Sequence, residues 1–185
     1  MRVLHVIDPG SPGGGACTLH LIGSAMSRLN SVDQTLVLIG SRQHARLAER
    51  TGVPPDAVIS PPLNAPFFAR HRLRKLVEFF ESRHGRFDLL HAWTPQSALL
   101  IRTALPDHRH LALFPIGPIT GIATDLLVRA QRRRPMPTLV YSTAVRDEYE
   151  LLGFPRDHIG VLPPGINPEA EPMHDRTTLR RRWGV

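Results

Sequence analysis

Three short stretches of this chain carry residue types that suit chemistry, and each follows a short apolar run. The first is Asp8-Pro9-Gly10-Ser11-Pro12-Gly13-Gly14-Gly15, which leads straight into a helical pattern at Ala16. Glycines let the backbone approach a ligand closely, and a helix start presents free amides with partial positive charge, so the turn suits a phosphate. Spacing excludes two phosphate loops. A Walker loop needs Lys after its last glycine, where Cys17 and Thr18 stand. The dinucleotide pattern G-x-G-x-x-G fails because Gly13-x-Gly15 is followed by Thr18. Nor does an acid close the second apolar run to hold a ribose: Ile39-Gly40-Ser41-Arg42 stands there. The second stretch is Phe87-Asp88-Leu89-Leu90-His91-Ala92-Trp93-Thr94-Pro95. His91 titrates near neutrality when unperturbed, so it can donate to a hydroxyl or pyrophosphate, or help deprotonate an acceptor hydroxyl. Trp93 and Thr94 offer an aromatic wall and a hydroxyl. The competing reading makes His91 a strand-end histidine held by a backbone carbonyl; His5, in mid-strand, reads as core. The third stretch, Phe114-Pro115-Ile116-Gly117-Pro118-Ile119-Thr120-Gly121, is punctuated as a loop and brings no histidine or carboxylate before Asp125.

Metal chemistry finds no support. No Asp-x-Asp pair occurs and the histidines do not fall at metal-ligand spacing. The single cysteine, Cys17, excludes an internal disulfide and a cysteine-built zinc site.

The elements that must position these stretches are legible from periodicity. Apolar runs at 3–7, 35–39, 57–59, 89–91, 111–114, 138–141 and 159–162 are mostly continuous, as strands buried on both faces should be. Between them, Ile22, Ala25, Met26 and Leu29 recur at helical spacing, as do Leu73, Leu76, Val77 and Phe80. Arg83 and His84 suit that second helix's negative end before Gly85. Thr94-Pro95 reads as N-cap and first residue of a helix through Leu105. Strands alternating with helices predict an α/β domain, a Rossmann-like parallel sheet of about seven strands with helices on both faces. Such sheets bind ligands outside the carboxyl ends of their strands.

The stretch 142–167, STAVRDEYELLGFPRDHIGVLPPGIN, joins a hydroxyl-capped helix, a Gly153 and Pro155 stop, a short strand and a Pro-Pro-Gly turn. This order of parts resembles the end of the N-terminal domain of family 4 (group 1) glycosyltransferases, which have the two-Rossmann-domain GT-B architecture. The glycine turn resembles that family's loop after the first strand, although Ala16-Cys17 replaces its usual acid. The 87–95 stretch looks like the family's strand end lining the interdomain cleft, with Trp93 where many members carry a second histidine. The resemblance implies sugar transfer from a nucleotide sugar with retention of configuration. It implies the nucleotide sugar as co-substrate, without a metal or other cofactor, and an acceptor of unknown identity. Gly13, Gly14 and Gly15 are expected on the donor diphosphate, His91 in a catalytic role, and Ser11, Trp93, Thr94, Gly117 and Ser142 on substrate. Residues 1–162 are expected to form the acceptor-side domain. Residues 163–185 would be the interdomain linker and the start of a C-terminal domain that carries the nucleotide-binding carboxylates, so the piece alone should fold but not catalyse.

Composition sets the remaining bounds. With 185 residues, 42% hydrophobic and 21% charged, the chain has the makings of one globular domain. It has no apolar run of membrane-spanning length and no signal-peptide core, so a cytoplasmic protein is expected. The net charge is +7, with basic clusters at Arg70, Arg72, Arg74 and Lys75, at Arg132, Arg133 and Arg134, and at Arg180, Arg181 and Arg182. A basic surface favours an anionic partner, either an anionic membrane surface met peripherally on its inner face or a lipid-pyrophosphate acceptor, with no nucleic acid expected; the competing reading of each cluster is a solvated helix face. Two other functions stay open: a non-catalytic glycosyltransferase-like binding module and a nucleotide-binding oxidoreductase domain.

Overall fold

The computed structural model describes residues 1–7, 31–40, 56–59, 66–107, 111–113, 122–163, 177 and 180–181. Within them lie seven strands: β1 (Arg2–Ile7), β2 (Asp33–Ile39), β3 (Ala57–Ile59), β4 (Leu89–Ala92), β5 (Leu111–Leu113), β6 (Thr138–Val140) and β7 (Ile159–Val161). They form one sheet in the order β3-β2-β1-β4-β5-β6-β7, parallel throughout. The described helices are α1 (Pro66–His84), α2 (Pro95–Ala104), α3 (Ile122–Arg133) and α4 (Thr143–Leu152), followed by a 3₁₀ turn at Arg156–His158.

Parallel neighbours cannot be joined by tight turns, so each step needs a crossover. From β3 onward every step runs the same way across the sheet. Right-handed crossovers therefore put α1 to α4 on one face. There α1 packs on α2 and α2 on α3. The strands alternate accordingly. Leu4, Val6, Val37, Leu90, Ala92 and Val140 bury toward the helices, with Leu73, Val77, Ala98, Ile101 and Leu127 packed onto them. The other face gathers Ile7, Leu36, Leu38 and Trp93, flanked by Val58, Leu139 and Tyr141.

The helix ends follow local rules. Thr94 caps α2: its hydroxyl accepts from the Ser97 amide at 3.1 Å, and the Ser97 hydroxyl accepts from the Thr94 amide at 3.0 Å. Ser142 caps α4 by accepting from the Val145 amide at 3.3 Å. Gly153 closes α4 at φ 101°, a left-handed conformation that disfavours a side chain.

At the amino edge of the sheet, Arg2 ties three segments together. Its amide donates to the Asp88 carboxylate at 2.7 Å, its Nε to Asp33 at 3.0 Å, and its Nη1 to the Gly85 carbonyl. Its guanidinium also lies 4.6 Å over the Phe87 ring. Phe87 and Asp88, the first residues of the second chemical stretch, are thus framework at the edge away from the strand carboxyl ends.

Candidate functional site

Strand direction brings the joints of the fold to one edge. The carboxyl ends of β1, β4 and β6 lie there, as do the N-termini of α2 and α4, because each helix starts where its strand stops. Their first-turn amides point the positive ends of two helix dipoles at this edge.

His91 lies within β4, one residue short of its end, in register with His5 of β1. Their side chains share the face opposite the helices, with ring centroids 5.1 Å apart. Trp93, two residues on, returns to that face and stacks 4.8 Å from His91 and 6.0 Å from His5. The Trp93 indole N–H donates to His5 Nδ1 at 3.2 Å, which leaves Nδ1 without a proton and places the ring proton on Nε2. Gln34 also reaches His5 with its side chain.

This packing sets the protonation states. Burial lowers the His5 pKa to about 4, with Gln34 a smaller opposing influence. His91 keeps partial exposure, yet desolvation, assisted by repulsion from His5, lowers its pKa to about 3. Two adjacent imidazoles in apolar surroundings cannot both carry charge. His91 is therefore neutral at physiological pH. It can exchange hydrogen bonds with a ligand at this edge, and the lowered pKa weakens it as a general base.

Two further expectations change with the burial. Trp93 is 0% exposed, so its ring is a core element bracing the histidines and offers no wall to a sugar. Thr94 is buried too, and its hydroxyl is engaged with Ser97 in capping α2. Ser142 stays half-exposed at the ligand edge while it caps α4. Beside it Tyr141 is half-exposed, with its phenol pKa raised by burial. Ser11, Gly13, Gly14, Gly15 and Gly117 lie outside the described residues, as do the third loop and most of the 163–185 stretch. Asp125 falls in the first turn of α3, exposed, where a carboxylate complements the helix dipole. Among the described residues no group of three or more metal-ligating side chains occurs.

No protein-family model matches the sequence, and no curated protein does. Solved structures do match. HepE of Anabaena, in complex with UDP-glucose, superposes with a TM-score of 0.70 at 18% identity, over 100% of this chain and 50% of HepE. A glycosyltransferase from Rickettsia africae gives 0.64 at 14% identity, over 100% of this chain and 49% of that one. The lipopolysaccharide outer core galactosyltransferase WaaB gives 0.64 at 12% identity, over 95% and 50%. The chain thus spans about half the length of the structures it matches, and it has one half of a GT-B fold.

Proposed function

We propose that this chain is the acceptor-side, N-terminal half of a retaining glycosyltransferase that uses a nucleotide sugar, of the family 4 kind. One observation carries the reading: the chain superposes over its whole length on half of HepE, which is seen with UDP and with UDP-glucose. The 142–167 stretch supports it, since its Ser142 cap, Gly153 stop and short β7 are built in the order the resemblance implies.

In this reading the Gly13–Gly15 amides contact the donor diphosphate. The dipoles of α2 and α4 add positive potential at the same edge, the substitute for a metal where none is used. Neutral His91 positions a sugar or acceptor hydroxyl by hydrogen bonding. Ser142, with Ser11 and Gly117, lines the acceptor side. Residues 163–185 lead into a second domain that holds the nucleotide.

The test uses the full-length protein. UDP and UDP-sugars should raise its melting temperature while NAD(P) leaves it unmoved, and sugar release or transfer should be measurable by mass spectrometry. Gly14→Val should abolish turnover with little change in melting temperature. Normal turnover in a normally folded Gly14→Val would remove the diphosphate role. A second reading, a non-catalytic binding module, is favoured by the poor basicity of His91 and by a third loop without acid or base. It predicts nucleotide-sugar binding with no turnover in any variant.

A further inference from the structure

We propose that the outward face of α1 docks the protein on an anionic lipid bilayer. Along this helix Phe68, Arg72, Lys75, Phe79 and Arg83 recur at three- and four-residue steps, which sets them on one stripe. The opposite stripe, with Ala69, Leu73 and Val77, is buried toward the sheet. All five outward residues are exposed, Phe68 at 38% and Phe79 at 45%.

Each ring is paired with the arginine four residues later. The Arg72 guanidinium lies 5.0 Å from the Phe68 centroid and that of Arg83 lies 4.2 Å from Phe79. Phe79 is braced edge-on by half-buried Phe80, at 5.7 Å. The stripe itself carries no carboxylate; the nearest, Glu78, is paired with Lys75 at 3.0 Å. This differs from the basic cluster expected from sequence. Arg74 turns inward to donate to the Ala104 carbonyl at 2.9 Å, and Arg70 falls off the stripe, whereas Arg83 joins it.

A bilayer matches this pattern better than nucleic acid does. The guanidinium over each ring occupies one of the two faces on which a base could stack. Edge-on entry at the acyl boundary stays open, with the arginines and Lys75 at headgroup level. The rings are about 16 Å apart along the axis at 1.5 Å per residue, so the helix would lie flat on the surface. The net charge of +7 adds attraction toward anionic lipid. This surface stands independently of the glycosyltransferase reading.

Co-sedimentation of the purified protein with vesicles tests it. Binding should occur on phosphatidylglycerol mixed into phosphatidylcholine, be absent on phosphatidylcholine alone, and weaken with salt. The double variant Arg72→Glu/Arg83→Glu should cut partitioning about tenfold or more. Phe68→Ser/Phe79→Ser should lower it by a similar factor at unchanged net charge. Arg129→Glu/Arg133→Glu, an equal charge reversal on exposed positions of α3, should lower it less than about threefold, with thermal melts unaltered in all three. Equal losses from the α1 and α3 reversals, or Phe variants that bind like the parent, would overturn the proposal. So would a protein that ignores these vesicles but binds a mixed-sequence RNA through Arg72 and Arg83.

Discussion

At the scale of the residue, the chemistry of this chain turns on how His5 and His91 are housed. Both pKa values fall, to about 4 and about 3, from an ordinary 6.5. The unfolded chain therefore binds protons that the folded chain refuses. Above pH 6.5 both forms are neutral and the pair leaves stability unaffected by pH. Between 6.5 and about 4 the unfolded state gains protons first, so stability falls as pH falls. For His5 alone the loss is roughly 3 kcal/mol at about 1.4 kcal/mol per unit. Urea unfolding at pH 7.5 and 5.0 should show a lower midpoint at the acid end, and His5→Gln should remove its share, about half of that dependence, leaving the share of His91. If His91 only exchanges hydrogen bonds, His91→Gln should keep most turnover in the full-length enzyme. The turnover–pH profile should then show no break near 6.5 that disappears in the variant.

Elements bring a different kind of control, seen best in α4. Ser142 starts it, Gly153 stops it, and the 3₁₀ turn at Arg156–His158 passes the chain to β7. The Gly153 amide bonds the Glu150 carbonyl at 2.9 Å and the Phe154 amide the Tyr149 carbonyl at 3.0 Å, so the last turn is closed by its own backbone. A Cβ on Gly153 would adopt a left-handed conformation and stand 2.7 Å from Arg132 Nη2. The guanidinium can swing aside, so the backbone conformation dominates the cost. Gly153→Ala should lose about 1–2 kcal/mol in denaturant unfolding. Most of that loss should persist when Arg132 is also changed to Ala. A neutral result would mean that α4 ends by some other route.

For the molecule as a whole, stability should be graded from the middle of the sheet outward. β1 and β4 are the central pair, and Leu4, Val6, Leu90 and Ala92 are each 0% exposed there. β3 and β7 have three residues each and form the edges. Amide exchange should be slowest at the centre and fastest at β3 and β7. Leu90→Ala should cost about 2–5 kcal/mol by leaving a cavity in the core. Leu162→Ala, at a residue 48% exposed just past the edge strand, should stay within about 0.5 kcal/mol. Similar costs at the two positions would contradict a core centred on β1 and β4.

Much of this fold was legible without coordinates because its rules are local. Continuous apolar runs mark buried parallel strands, and hydroxyls at Thr94 and Ser142 mark helix starts. Gly153 marks a stop because only glycine takes its conformation cheaply. The candidate site was legible only as a set of strand ends. Sequence spacing set His91 and Trp93 two residues apart at a strand end but could not say what lay beside them. The parallel register of β1 and β4 sets His5, 86 positions earlier, beside His91. Burial, with that contact adding to it, holds His91 neutral, and Trp93 packs against both rings. The outward stripe of α1 was legible in part: the spacing of Leu73, Leu76, Val77 and Phe80 marks the side the sheet covers. Only the packed layer, however, turned Arg74 inward and left Phe68 and Phe79 facing out.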